Sequence, residues 1–123
     1  MSKINLEKEL ENYYGTEMYH PVDHQYALTD GIVALLEHFD TNIQKTLINL
    51  AKNVCSFDKL MVFIEITIKN GQLSVRTYRD LTEDGNDYID STYHENLFTV
   101  NDLEDCKIRT MIYNYVWLLM SEY

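Results

Sequence analysis

The sequence predicts an α+β fold in one domain spanning residues 1–123: N-terminal helices forming an αα-hairpin, packed on a small antiparallel sheet built on a 60–78 β-hairpin, with a C-terminal helix. Three observations predict it. Apolar residues recur at three and four through residues 32–54, alternate through 60–69 ahead of Asn70-Gly71, and recur at three and four again from Ile108 to Leu119. At 123 residues the chain can bury roughly two-thirds of its unfolded surface around one core.

The first helix is expected over Ile4 to Tyr14, where Leu6, Leu10 and Tyr14 share a face and Gly15 supplies a C-cap. Residues 16–28, with Pro21 and few aliphatics, read as an irregular connection into Thr29-Asp30-Gly31, a helix start. Helix two then runs to about Phe39 on the stripe Ile32, Leu35, Leu36 and Phe39. After Asp40, helix three places Ile43, Leu47, Leu50, Ala51 and Val54 on one face, with Thr41 and Gln44 as a capping box.

The strongest local signal follows. Leu60, Val62, Ile64, Ile66 and Ile68 alternate with Met61, Phe63, Glu65, Thr67 and Lys69, and Asn70-Gly71 supplies the positive-φ pair of a type I′ turn. That loop pairs Ile68 with Leu73, Ile66 with Val75 and Glu65 with Arg76, because a slip of one residue would turn the β-branched row out to water. Residues 80–87 form a turn, and Tyr88 to Tyr93 return as a third strand. Asn101 and Glu104 resemble a capping box ahead of Ile108, Met111, Ile112, Tyr115, Leu118 and Leu119, hence the C-terminal helix. The competing reading makes Ile112, Tyr113, Tyr115, Val116 and Trp117 a strand or strand pair.

Net charge is −10, and residues 80–105 carry nine acids with no Lys or Arg. Such a stretch repels phosphates and anionic lipid and attracts basic protein surfaces, so no direct nucleic-acid or membrane partner is expected. Cys55 and Cys106 stand alone, the N-terminus has no signal-like apolar run, and no apolar stretch approaches the roughly 20 residues of a membrane span. A reduced, cytoplasmic protein is the expectation.

Tyr14-Gly15-Thr16-Glu17-x-Tyr19, Thr29-Asp30-Gly31, the central hairpin and the terminal Leu118-Leu119-Met120-Ser121-Glu122-Tyr123 occur in that order across nearly the whole chain. In these pieces the chain resembles a family of short proteins of bacterial genomes and mobile elements, known only as a domain of unknown function. It departs from that family at Tyr115 and Met120, where Gly and Pro are frequent. The resemblance implies an α+β fold and a mobile-element setting, with no activity or site residues attached.

His20 and His24, with Glu17 and Asp23 nearby, are the one arrangement that invites a metal, but Pro21 spoils helical spacing and zinc takes three or four ligands. His38 and His94 read as structural or solvated. No nucleophile elbow, glycine-rich phosphate loop or Walker spacing is present, and Cys55 sits where a cysteine packs. No enzyme, metal or cofactor is expected.

What remains is the acidic strip, in which tyrosines alternate with carboxylates. Asp80, Glu83, Asp84, Asp87, Tyr88, Asp90, Tyr93 and Glu95 are the candidate partner-binding residues. Carboxylates standing in for phosphates and tyrosines for stacked bases would let the strip occupy a basic surface, such as the nucleic-acid channel of a host nuclease. Several anti-CRISPR proteins are similar in size and charge. The alternative is a pocket between sheet and helices that sequesters a nucleotide, using Arg76, Arg79, Lys59 and Lys69. A third reading is self-association through exposed tyrosines and the hairpin edge; the sequence leaves oligomeric state open.

Overall fold

A computed structural model describes residues 3–23, 26–57 and 61–123. In chain order the elements are α1 (Leu6–Glu9), β1 (His20–Asp23), β2 (Tyr26–Leu28), α2 (Asp30–Leu36), α3 (Thr41–Phe57), β3 (Met61–Lys69), β4 (Gln72–Tyr78), β5 (Asp80–Leu81), β6 (Tyr88–Ile89), β7 (Thr92–Thr99), β8 (Cys106–Tyr113), β9 (Val116–Leu119) and a 3₁₀ turn, Met120–Glu122. Seven strands form one mixed sheet in the order β1-β2-β9-β8-β3-β4-β7, and β5 and β6 pair separately. Among the described strands of that sheet, β2 and β9 pair in parallel and the other neighbours antiparallel.

The expected architecture of helices on a small sheet is therefore overturned: this is a sheet protein with a layer of helices. The largest change lies at the C-terminus, where β8 and β9 replace the expected helix. Ile108, Met111, Ile112, Leu118 and Leu119 satisfy helical spacing, but Ile108, Thr110 and Ile112 also satisfy a period of two. Two things decide for strands. Asn114 and Tyr115 both take positive φ, 52° and 64°, closing a tight turn that no helix passes through. And β8 pairs along the whole of β3, which would otherwise be left as an open edge. The competing strand-pair reading is the one the structure bears out.

Other boundaries move for local reasons. Asp40, not Thr41, caps α3: its Oδ1 accepts from Ile43 N at 3.0 Å, while Gln44 Nε2 donates to Phe39 O at 2.8 Å. Residues 101–105 start no helix, because Ile4 bridges Leu103, with Ile4 N donating to Asp102 O and Glu104 N to Ile4 O, both at 2.8 Å. The connection over 16–28 contains β1 and β2, and α1 is a single turn. The Thr29 cap behaves as expected, accepting from Ile32 N. The β3–β4 register also matches expectation, Ile68 opposite Leu73, Ile66 opposite Val75 and Glu65 opposite Arg76.

That register gives the sheet two unlike faces. Ile64, Ile66, Ile68, Leu73, Val75, Ile112, Trp117 and Leu119 form one, and they pack with Leu6 and Leu10 of the N-terminal turn and with Ile32, Leu35, Leu36, Leu47 and Ala51 of α2 and α3. Inside this core Trp117 Nε1 donates to Thr110 Oγ1 at 2.7 Å, and Thr110 Oγ1 donates to Ile64 O at 2.7 Å. The second face carries Phe63, Glu65, Arg76, Tyr78, Lys107, Arg109 and Met111.

Because β3 and β4 are interior strands, the hairpin offers no edge for self-association. The outer strands are blunted. β1 contains Pro21 and a register break, and β7 is interrupted beyond His94 by a bulge in which Asn96 has φ 49°.

Candidate functional site

Of the residues expected to meet a partner, Asp80, Glu83, Asp84, Asp87, Asp90, Tyr93 and Glu95 are exposed, and Tyr88 is half-buried. Asp80 lies on β5, Glu83, Asp84 and Asp87 in the following turn, Tyr88 on β6, Asp90 at a positive-φ corner, and Tyr93 and Glu95 on β7. The turn is built by its own side chains: Thr82 Oγ1 donates to Asp84 Oδ1 at 2.6 Å, and Asn86 N donates to the same oxygen at 3.0 Å. Those two bonds, the Thr82 hydroxyl first, hold the Asp84 carboxyl below its ordinary range.

The two tyrosines of the strip lie over the second sheet face, Tyr88 half-buried and Tyr93 exposed. Tyr88 and Tyr93 bracket the Arg76 guanidinium, whose carbon lies 4.4 and 4.5 Å from their ring centres. Tyr88 also sets its edge on Tyr78, which stacks on Phe63, and its hydroxyl donates to Glu65 Oε1 at 3.3 Å. Burial, then the Glu65 charge, pushes the Tyr78 hydroxyl upward. Nor is the strip without basic neighbours once folded: Arg79 reaches Asp90 at 3.6 Å, and Arg76 Nη1 donates to Ser91 Oγ.

Sequence reasoning missed the group on the second face. Glu65 is only 4% exposed, with Lys107 Nζ at 3.5 Å and Arg109 Nε at 3.4 Å from its carboxylate. The lone acid in an apolar strand, register-paired with Arg76, was the available signal; Lys107 and Arg109 had been placed on a helix.

The motifs at the two ends of the chain meet at the start of α2. Asp30 accepts from Glu17 N at 2.9 Å and from His20 Nε2 at 2.8 Å, while Asp30 N donates to Thr16 Oγ1. Glu122 accepts from the Thr29 hydroxyl at 2.6 Å, Gly31 N at 3.1 Å and Leu119 N at 2.9 Å. Ser121 Oγ donates to Tyr13 O. These contacts clasp the N-terminal segment and the end of the chain to the start of α2.

The His20 bond above all, with the Glu17 amide second, draws the Asp30 carboxyl down to about 2. A depressed carboxyl stabilises the fold above its unfolded value, near 3.9, and loses that contribution as pH falls toward 2. Asp30→Asn is thus expected to flatten the acid limb of the stability curve between about pH 4 and 2, followed by far-UV circular dichroism across an acid titration. An unchanged acid limb would show that the clasp carries no net stabilisation.

Among the described residues no three His, Cys, Asp or Glu side chains are placed to hold a metal; His24 of the sequence candidate lies outside them. Burial and the nearby Glu7 push the Cys106 thiol up to about 11, so it stays protonated and a poor nucleophile near neutral pH. A groove of about 500 Å³ between α3 and β4–β7 is lined by Thr46, Asn49, Leu50, Asn53, Thr77 and His94. Of the basic residues expected at a nucleotide pocket, Arg79 lines an adjoining pocket of about 350 Å³ with Val54, Val62 and Thr77, Arg76 and Lys69 lie on the other sheet face, and Lys59 lies outside the described residues. No helix among the described residues is long and apolar enough to cross a membrane. No family model matches the chain, and no curated protein or solved structure is similar enough to count as a match.

Proposed function

We propose that this protein is a non-enzymatic, cytoplasmic binding module of mobile-element origin whose acidic hairpin and adjoining strand occupy a basic protein surface, such as the nucleic-acid channel of a host nuclease. The observation that carries the reading is the exposure of every acid from Asp80 to Asp105 on a chain of net charge −10. The carboxylates of Glu83, Asp84 and Asp87 stand on a turn held by Asp84, Thr82 and Asn86, so a partner meets a preorganised group of charges and less ordering entropy is lost on binding. Tyr93 is the aromatic available to a partner; Tyr88 serves to hold the hairpin on the sheet.

The test uses substitutions that keep the turn. Asn accepts the hydrogen bonds of Asp84 and is at home at the positive φ of Asp90. Asp84→Asn/Asp87→Asn/Asp90→Asn is expected to lose the nucleic-acid-binding proteins that wild type captures from bacterial lysate. With an identified partner, the association rate should fall steeply as the Debye length shrinks from about 10 Å at 0.1 M salt to about 3 Å at 1 M. Capture of the same partners by both proteins, or an association rate indifferent to salt, would reduce the strip to a solubility feature.

A further inference from the structure

The second sheet face holds a straight row of side chains crossing four strands: Tyr93 on β7, Arg76 on β4, Glu65 on β3 and Arg109 on β8 occupy directly opposed register positions. Lys107 follows on the same side of β8. One carboxylate therefore draws in two cations, Lys107 and Arg109, while the Arg76 guanidinium lies between Tyr88 and Tyr93; Glu65 Oε2 is buried without a hydrogen bond, the Arg109 Nε standing 3.4 Å away. A carboxylate is expensive to bury unless neighbouring charge compensates it. Here the compensation exceeds the need, since Lys107 and Arg109 carry one positive charge more than Glu65 neutralises.

The surplus is accessible. Arg109 turns its Nε to Glu65 and its side chain is 57% exposed, so among the described residues nothing engages its two terminal nitrogens. Lys107 presents its ammonium at 49% exposure. A guanidinium fork beside an ammonium suits the several oxygens of a tetrahedral oxyanion.

We propose that this cluster binds the phosphate of a small phosphate monoester, at a site separate from the acidic strip. Arg109 takes two oxygens with its terminal nitrogens, Lys107 supplies a point charge, and Glu65 is a positioning residue that holds both cations on the face.

Isothermal titration at about 0.15 M salt with inorganic phosphate, ribose 5-phosphate and adenosine 5′-monophosphate tests this. Saturable binding of at least one is expected, and Lys107→Gln/Arg109→Gln should weaken it at least about tenfold. Should that variant lose its fold, Arg109→Lys, which keeps the charge and loses the fork, serves the same comparison. Glu65→Gln separates positioning from simple attraction: it adds net positive charge, yet is expected to weaken binding because the cations are released, and tighter binding would overturn the positioning role. Preference for either monoester over inorganic phosphate supports recognition beyond the phosphoryl group; equal affinity for all three supports recognition of the phosphoryl group alone. Absence of saturable binding by all three, or undiminished binding by folded Lys107→Gln/Arg109→Gln, overturns the proposal. The Asp84, Asp87 and Asp90 variant should bind phosphate as wild type does, so this site and the protein-binding surface fail independently.

Discussion

Trp117→Ala is expected to lower the unfolding free energy by about 3–5 kcal/mol, the largest single loss anywhere in the chain. Trp117 is fully buried on β9 and packs with Ile112 and Leu119 in the core beneath α2 and α3. Its removal opens a cavity that two layers of regular structure cannot collapse to fill. It also ends the relay from Trp117 Nε1 through the Thr110 hydroxyl to Ile64 O, which ties β9, β8 and β3 together across the sheet. Small domains hold about 5–15 kcal/mol in all, so the variant stands near the unfolding threshold. Urea denaturation with an unchanged slope is the measurement. Thr110→Val should cost roughly 1–3 kcal/mol, because the indole N–H stays buried with no acceptor. A Trp117→Ala loss below about 1.5 kcal/mol would mean that the indole is not the centre of the core.

Gly31→Ala carries the second large effect, and it runs against the ordinary preference of helices for alanine. A Cβ at this position would overlap Glu122 Oε1 and come within 2.6 Å of Leu119 Cδ1. The Glu122 carboxylate must then leave the start of α2, and its bonds to the Thr29 hydroxyl, Gly31 N and Leu119 N go with it. Each is charge-assisted and partly buried. Set against the roughly 1 kcal/mol that alanine gains over glycine in a helix, a net loss of about 1–3 kcal/mol is expected. Glu122→Ala removes the same bonds without the clash, so in the double variant Gly31→Ala should become neutral or stabilising, a coupling readable from a double-mutant cycle in thermal melts. Additive losses would show that the crowding at Leu119 governs instead.

The Gly31 result also explains why short motifs from the two ends of the chain stand out in the sequence. Thr16, Glu17, Thr29, Asp30, Gly31, Ser121 and Glu122 meet at one junction. They join the segment before β1, the opening of α2 and the end of β9. Residue choice at such a junction follows from hydrogen-bond geometry and close approach.

The sequence by itself determined the features whose causes are local. The β3–β4 register follows from alternating β-branched residues and the Asn70-Gly71 turn, the start of α2 from Thr29, and the stripe of α3 from Ile43, Leu47 and Ala51. The exposure of the acids from Asp80 to Asp105 was legible for the same reason, since unpaired carboxylates stay in water. Tertiary structure settles whether residues 106–119 become helix or strands: Ile108 and Ile112 fit both periods, and the choice rests on hydrogen bonds to β3, more than thirty residues away in the chain. A helix satisfies its backbone within itself, whereas a strand is completed by a partner that local pattern does not reveal. The same long-range pairing brings Arg109 beside Glu65 and Tyr93 beside Arg76, so the charged row on the second face comes into being only when the sheet closes.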